Sequence, residues 1–262
     1  MSQPFLSLIF VNYQSAALLK RAIVSWEKPL GGLPYEVIVV NNDPNENEAI
    51  ERLCVPGKVS VRNLGKNVGF GAANNRAAVL AQGEWLFLLN PDTEYATGSI
   101  EELLPVLQAY PHSLGGVCLI DEQDKKEAWS GGRFPTLWKL IWQHLQRTPV
   151  RALWTQPMFT ETDWVSGAAL LISRESFKQL NGFDENFFLY FEDVDLAERA
   201  KQKGLSVWHF PNLVVRHRGG ASHGEHAKQK QAYYESERRY FSKHRSPLEA
   251  RCFGWLQRIF FS

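Results

Sequence analysis

Cysteine is scarce and unpatterned. The 262-residue chain holds only Cys54, Cys118 and Cys252. Their spacing is not that of a metal site, and an odd, scattered count fits a reducing compartment rather than a disulfide framework. Net charge is nearly absent at +1, so nothing at the whole-chain level points to a nucleic-acid partner. No apolar run approaches the roughly 18 residues that a transmembrane helix requires. The opening MSQPFLSLIFVN lacks a basic stretch and passes straight into a strand, so no secretory signal is expected and a cytoplasmic location is. Repeats and low-complexity linkers are also missing. One large domain with a C-terminal extension is the simplest organisation.

What is present is an apolar content of 44%, enough for a real core, arranged as short buried runs. The most informative is Gly83–Thr93, GEWLFLLNPDT. Five apolar residues between Gly83 and Pro91 read as a strand buried on both faces. It stops at Asn90-Pro91-Asp92. Open α/β sheets bind ligands beyond the carboxyl ends of their strands, and a carboxylate there can hold a divalent cation against phosphates. The same residues also make an ordinary strand-ending turn.

Strands are predicted at Phe5–Val11, Glu36–Val40, 58–62, 116–120, 164–172 and 205–210. Helices are predicted over 16–26, 47–53, 72–81, 99–110, 174–180 and from Glu192 to about Lys203, with Ser15 and Ser173 as caps. Strands alternating with helices argue for a parallel sheet. Pro29–Gly32 reads as a loop. Asn63–Asn75, with Gly65, Gly69 and Gly71, has the look of a phosphate cradle opening a helix. It is neither G-x-G-x-x-G nor a P-loop, which excludes the usual dinucleotide and Walker readings. The aromatic segment Trp129–Asp163 breaks the rhythm as either a packed subdomain or a flap over a cleft.

In Phe187–Leu196, FFLYFEDVDL, Glu192, Asp193 and Asp195 follow an aromatic wall. Acidic residues suit the start of a helix, and carboxylates beside a desolvating wall are also how a general base is prepared. Asp195 reads as structural, paired with Arg199 one turn on. His217, alone at the end of an apolar stretch, reads by itself as a satisfied structural residue. After Pro211 the chain carries ten Lys and Arg against four Glu. It ends in a basic helix, Gln229–Lys243, and an apolar tail, Arg251–Ser262. That tail either packs on the domain or a second subunit, or lies on a membrane as an interfacial helix.

In this order the motifs FVNYQ at 10–14, VVNND at 39–43, NVGFGAANN at 67–75, LLNPDT at 88–93, WVSGAALLISRESF at 164–177, GFDENFFLYFEDVDLAERAKQKG at 182–204 and VVRHRGG at 214–220 resemble the family-2 glycosyltransferases. The similarity is to the bacterial rhamnosyltransferase-like branch and spans about 5–219. The resemblance implies an α/β GT-A (Rossmann-like) fold with a mostly parallel central sheet flanked by helices. It implies a catalytic domain over 1–220, with a nucleotide-sugar half to about 95 and an acceptor half after it, and a helical extension over 221–262.

By the same resemblance Asp92 would hold Mg²⁺ or Mn²⁺ on a donor diphosphate, with His217 completing the metal site. Asn90 stands where many relatives carry a first Asp, which removes one charge. Asp193 matches the catalytic base, with Glu192 beside it. Asn12, Asn41, Asn67 and Gly69 match positions lining the nucleotide. Position 41 is Asp in many relatives; an Asn there can also accept through its carbonyl oxygen. The implied function is inverting, metal-assisted sugar transfer, with dTDP-rhamnose among the implied donors, to a glycan or lipid-linked acceptor in envelope polysaccharide synthesis. A homodimer and peripheral membrane contact fit it. The rival readings are a nucleotidyltransferase, for which the loop at 63–75 lacks basic residues, and a non-catalytic nucleotide-sugar-binding module.

Overall fold

The structure is a computed structural model that describes residues 3–30, 32–127, 129–139, 159–219 and 226–260. In chain order its elements are β1 (Leu6–Asn12), α1 (Ala16–Leu30), β2 (Tyr35–Asn41), α2 (Asn47–Glu51), β3 (Val59–Asn63), α3 (Phe70–Leu80), β4 (Trp85–Leu89), β5 (Thr93–Thr97) and α4 (Leu104–Ala109). There follow β6 (Ser113–Ile120), β7 (Gly131–Gly132), β8 (Thr160–Glu161), β9 (Trp164–Val165), β10 (Ala169–Ser173), α5 (Arg174–Gln179), α6 (Glu192–Gln202), β11 (Ser206–His217), α7 (His226–His244) and α8 (Pro247–Phe260).

The central sheet has the order β3-β2-β1-β4-β10-β6-β11-β5, with β8 also on β11. β3, β2, β1 and β4 are parallel, and β6 and β11 are parallel to each other. β10 lies antiparallel between β4 and β6, and β5 and β8 run against β11. The sheet is therefore mixed, with one reversed strand at its centre. Period-two alternation in the buried strands feeds two cores. Leu6, Leu8 and Phe10 of β1 face Trp26 and Leu30 of α1. Ile9 and Val11 face Ala73 and Ala77 of α3 and Leu196 of α6. A third, aromatic core joins Phe187, Phe191 and Val194 to Tyr240, Phe241 and Phe253 of the C-terminal helices.

Several local expectations change. The helix from Ala16 continues through Pro29 to Leu30. Leu30 is buried on the same face as Trp26, and a proline this close to the end removes only one donor. The helix expected over 99–110 is a 3₁₀ turn, Glu101–Leu103, followed by α4. Pro105 cannot sit one turn beyond a regular helical carbonyl. The run 164–172 is two strands: the chain breaks at Ser166-Gly167-Ala168, β9 pairs with β7, and β10 enters the main sheet reversed. β5, directly after Asp92, carried no sequence expectation. Leu205–Phe210 and Val214–Val215 form one strand with a register shift between Phe210 and Val214. Ser173 caps α5 by accepting from Ser176 N, and Asp121–Asp124 forms a hairpin turn, closed by a bridge from Ile120 to Lys126.

Of the segment 129–163, residues 140–158 lie outside the described residues, so the choice between subdomain and flap falls largely there. Among the described residues no helix is long and apolar enough to cross a membrane. The tail is helical and folds back: Phe253 stacks on Phe241 with ring centroids 4.0 Å apart, while Leu248 and Trp255 remain exposed.

Candidate functional site

Parallel register sets the first wall of the site. Asn12 of β1 lies opposite Asn41 of β2, and Asn41 opposite Asn63 of β3, so three strands end in a row of amides. Asn12 Nδ2 donates to Asn41 Oδ1 (2.9 Å) and to Glu46 Oε2 (2.8 Å). The Glu46 carboxylate also accepts from Ser15 N and Ala16 N at the start of α1. Asn41 Oδ1 accepts from Asp43 N as well, at 3.1 Å, and Asn41 Nδ2 donates to Asn47 and Asn63. An amide oxygen has two lone pairs, and both of Asn41's are engaged inside the protein. Reading a nucleobase through that oxygen would require sharing one of these bonds. Asn67 Oδ1 accepts from Asn42 Nδ2 and Gly69 N, tying the loop before α3 to the end of β2.

The glycines of that loop have different reasons. Gly69, with φ 92°, caps α3, and a Cβ on it would stand 2.6 Å from the Phe188 carbonyl oxygen. A Cβ on Gly71 would press on Phe183 and lie near Glu192. Both are small because the segment that brings in the carboxylates lies on them. A Cβ on Gly65 would meet open space.

A second group forms where β4 and β11 end. Asn90 N donates to the Ala168 carbonyl, the turn closes through Thr93 N to Asn90 O, and β5 then pairs with β11 so that His217 faces Thr93. His217 Nε2 comes 3.5 Å from Asp92 Oδ1 and 3.4 Å from Asn90 Nδ2. Its Nδ1 is 3.1 Å from Glu127 Oε2. Burial alone would lower the imidazole's pKa, but its bonds to Asp92 and Glu127 and their charges win, raising it to about 10. Glu127 was not singled out in the sequence. It lies just past a hairpin turn, and no local pattern sets it apart.

Among the described residues, no group of three or more His, Cys, Asp or Glu side chains is arranged to hold a metal alone. The donor set is one carboxylate, one imidazole whose far nitrogen is held by a second carboxylate, and one amide. That chemistry fits a divalent cation that would take its remaining ligands from phosphate oxygens.

The third group opens α6. Tyr190 and Phe191 both have left-handed backbones, φ 69° and 63°, uncommon for bulky residues and a mark of a turn held by its surroundings. The turn delivers Glu192 and Asp193 to the helix start. Asp193 Oδ2 accepts from Gly167 N and Oδ1 from Val194 N, each at 2.8 Å. Burial raises the Asp193 pKa against the pull of these N–H groups. Glu192 is buried, and its Oε2 has no hydrogen-bond partner. Burial, then the neighbouring charge of Asp193, pushes its pKa well above the ordinary 4.5. Asp195 bonds Arg199 at 2.8 Å, the expected pair.

The break at 166–168 joins the last two groups. Gly167 N–H holds Asp193 while the Ala168 carbonyl holds Asn90. Asn12, Asn41 and His217 end strands that point the same way as β4, which Asp92 follows; Asn67 and Gly69 lead into α3, whose Gly71 lies near Glu192. The edge thus offers amides, a carboxylate–imidazole pair and two carboxyls of raised pKa, a combination able to bind a polar ligand and take up a proton.

Comparison with known proteins bears on this arrangement. The profile of "Glycosyl transferase family 2" matches residues 7–180, and that of "N-terminal domain of galactosyltransferase" matches 159–226. The chain is 28% identical over 242 residues to the N-acetylglucosaminyl-diphospho-decaprenol L-rhamnosyltransferase of Mycobacterium tuberculosis, covering 84% of this chain and 78% of that protein. It is 24% identical over 193 residues to the rhamnosyltransferase WbbL of Escherichia coli, covering 70% and 72%.

Among solved structures, GalNAc-T7 with UDP, GalNAc and Mn²⁺ superposes with a TM-score of 0.64 at 16% identity, covering 90% of this chain and 48% of that one. The mannosyltransferase PcManGT of Pyrobaculum calidifontis, with GDP-Man and Mn²⁺, gives 0.61 at 17% identity, covering 93% and 64%. The chain thus spans about half the length of the first of these structures and less than two thirds of the second, and at such identity the likeness shows a shared GT-A fold. From the profile match and its rhamnosyltransferase relatives, the chain belongs to glycosyl transferase family 2, on its rhamnosyltransferase-like branch.

Proposed function

We propose that the protein transfers a sugar, rhamnose from dTDP-rhamnose in the first instance, to a hydroxyl of a glycan or lipid-linked glycan in bacterial cell-surface polysaccharide synthesis, with inversion at the anomeric carbon. The observation that carries the reading is the link through 166–168, which ties Asp193 to the turn bearing Asp92. A proton acceptor and a phosphate-side carboxylate are thus fixed on one short loop. In this reading Asn12, Asn41, Asn67 and Gly69 shape the nucleotide's seat at the ends of β1, β2 and the start of α3. Asp92 and His217 would hold Mg²⁺ or Mn²⁺, which when bound supplies positive charge to the departing diphosphate.

Asp193 takes the proton of the acceptor hydroxyl as its oxygen bonds to the anomeric carbon from the face opposite the leaving group. The bond from that carbon to the phosphate oxygen breaks, and the nucleoside diphosphate leaves with the electron pair. Burial, then the neighbouring charge of Asp193, raises the Glu192 pKa, which favours its neutral form and so lessens the negative charge at the side of Asp193. We further assign the catalytic unit to 1–220 and the extension to 221–262. We place the protein on the cytoplasmic side of the membrane, touching it through the exposed Trp255 and Leu248 of α8 with its basic neighbours.

The test is release of nucleoside diphosphate from dTDP-, UDP- and GDP-sugars, with and without EDTA, by the wild type and by Asp193→Asn. Turnover of one donor that needs acceptor and is lost in the variant supports the reading. Full turnover by Asp193→Asn refutes the assignment of the base.

A further inference from the structure

The two family profiles end at residues 180 and 226, yet the turn that presents the carboxyls is held by helix α7, which runs from 226 to 244. We propose that α7 is part of the catalytic apparatus and that Ser236, Lys243 and His244 are positioning residues fixing the strained turn before Asp193; this rests on the reading of Asp193 and Glu192 as the proton-accepting pair.

Two consecutive left-handed residues, Tyr190 and Phe191, persist only where neighbours over-determine them. α3 holds the early part of this loop, Phe70 N donating to the Phe188 carbonyl and Asn75 bonding Phe183, and α7 holds the turn itself and both ends. Ser236 Oγ donates to the Leu189 carbonyl at 2.8 Å, immediately before the turn. Phe191 packs against the rings of Tyr233 and Tyr240, at 5.3 and 5.5 Å. Lys243 Nζ pairs with Asp184 at 2.6 Å, where the loop begins, and with Asp195 at 2.7 Å, in the first turn of α6. His244 Nε2 meets the same Asp195 oxygen at 2.7 Å. One turn along α6, Glu198 bonds Arg245 at 2.7 Å and accepts from the Tyr240 hydroxyl.

Asp195 is wholly buried, with the Arg199 guanidinium on its other oxygen. A buried carboxylate ringed by three cationic or proton-donating side chains from two elements is a rigid joint, because removing a partner strands a charge away from water. The joint lies two residues from Asp193 and three from Glu192. α7 therefore grips the loop at its start, its middle and its exit, leaving the carboxyls little freedom to turn away. The side chains of α7 that make these contacts make none with β1–β4 or α3, which hold the same loop only at 183–188, so substitutions in α7 should bear on base placement more than on donor binding. A charge-neutral surface role for α7 would not need both Lys243 pairs to fall on the two ends of one loop.

The experiment uses the full chain carrying Lys243→Met, Lys243→Arg, His244→Gln or Ser236→Ala. Turnover is read as nucleoside diphosphate release from the dTDP-, UDP- or GDP-sugar that the wild type uses, with binding of the matching nucleoside diphosphate by calorimetry. Hydrogen exchange is followed across 184–196. Lys243→Met is expected to lower kcat at least tenfold with nucleotide affinity within twofold, and to speed exchange at 187–195. Lys243→Arg should recover most of the loss, and Ser236→Ala should give a smaller loss of the same kind. Should Lys243→Met not fold, Ser236→Ala and His244→Gln decide by the same split. Unchanged kcat and exchange, or equal losses of kcat and nucleotide affinity, overturn the proposal. Asp193→Asn runs alongside: if it keeps full turnover the base assignment fails, while the exchange data still decide whether α7 holds the turn.

Discussion

Glu192→Gln and Asp193→Asn change neighbouring carboxyls into amides of the same size, and the structure gives them opposite consequences. The Asp193 carboxylate accepts one N–H on each oxygen, from Gly167 and Val194. An amide has only one oxygen, so Asp193→Asn turns an NH₂ toward one of those donors. A buried donor left without an acceptor costs roughly 1–3 kcal/mol. Turnover should fall by roughly 10²–10⁴, the size of a general-base contribution, or about 3–5 kcal/mol of barrier.

Glu192 has an oxygen with no partner, and burial followed by the charge of Asp193 lifts its pKa well above 4.5. The folded protein therefore keeps a proton that the unfolded chain releases once pH passes 4.5. The carboxyl costs nothing below that pH and weakens folding increasingly as pH climbs toward its folded pKa. Glu192→Gln removes this penalty, so the variant should match the wild type near pH 4 and exceed it near pH 8. Urea unfolding at the two pH values, with kcat for both variants, is the assay. A Glu192→Gln protein that loses stability from pH 4 to pH 8 relative to wild type would refute the protonated, unpartnered Glu192. A silent Asp193→Asn beside an inactive Glu192→Gln would reverse their roles.

Asp92→Ala and His217→Ala should each weaken Mn²⁺ binding measured by calorimetry with a nucleoside diphosphate present, and the double variant should lose little more, since both act on one ion; additive losses would separate them. Gly69→Ala should destabilise by about 1–3 kcal/mol or more, from a backbone region open essentially to glycine alone and a Cβ 2.6 Å from the Phe188 carbonyl oxygen. Gly65→Ala, whose Cβ meets nothing, should cost less, and equal costs in thermal unfolding would dismiss the Phe188 contact. Phe253→Ala should cost about 3–5 kcal/mol, because the ring is buried and stacked on Phe241, whereas exposed Leu248→Ala should stay within about 0.5 kcal/mol. Trp255→Ser should reduce co-sedimentation with anionic vesicles at low salt without altering unfolding; undiminished sedimentation would leave α8 as a packing element only.

The sequence by itself determined the pieces whose causes are local. Short apolar runs bounded by Gly, Pro and Asn marked β1, β2, β3 and β4, because strand burial and its termination are written within a few residues. Ser173 as a cap, the helix from Glu192, and the pair Asp195–Arg199 were legible for the same reason: each is an interaction across one helical turn. The ordered motifs were also enough to identify the family.

What the tertiary structure alone decided are the pairings between distant segments. β10 reads as a continuation of β9 until the sheet shows that Ser166–Ala168 lets it turn back between β4 and β6. That reversal puts Gly167 against Asp193 and Ala168 against Asn90. Register, not spacing, sets His217 opposite Thr93 and brings in Glu127 from 90 residues away. The small size of Gly69 answers to Phe188, and the Lys243 ammonium and the His244 ring nitrogen answer to a buried Asp195. A single residue's side chain states which bonds it can make. Only the packed chain fixes which partner lies within 3 Å, because that is settled by the burial of whole strands and helices, to which any one polar contact adds little.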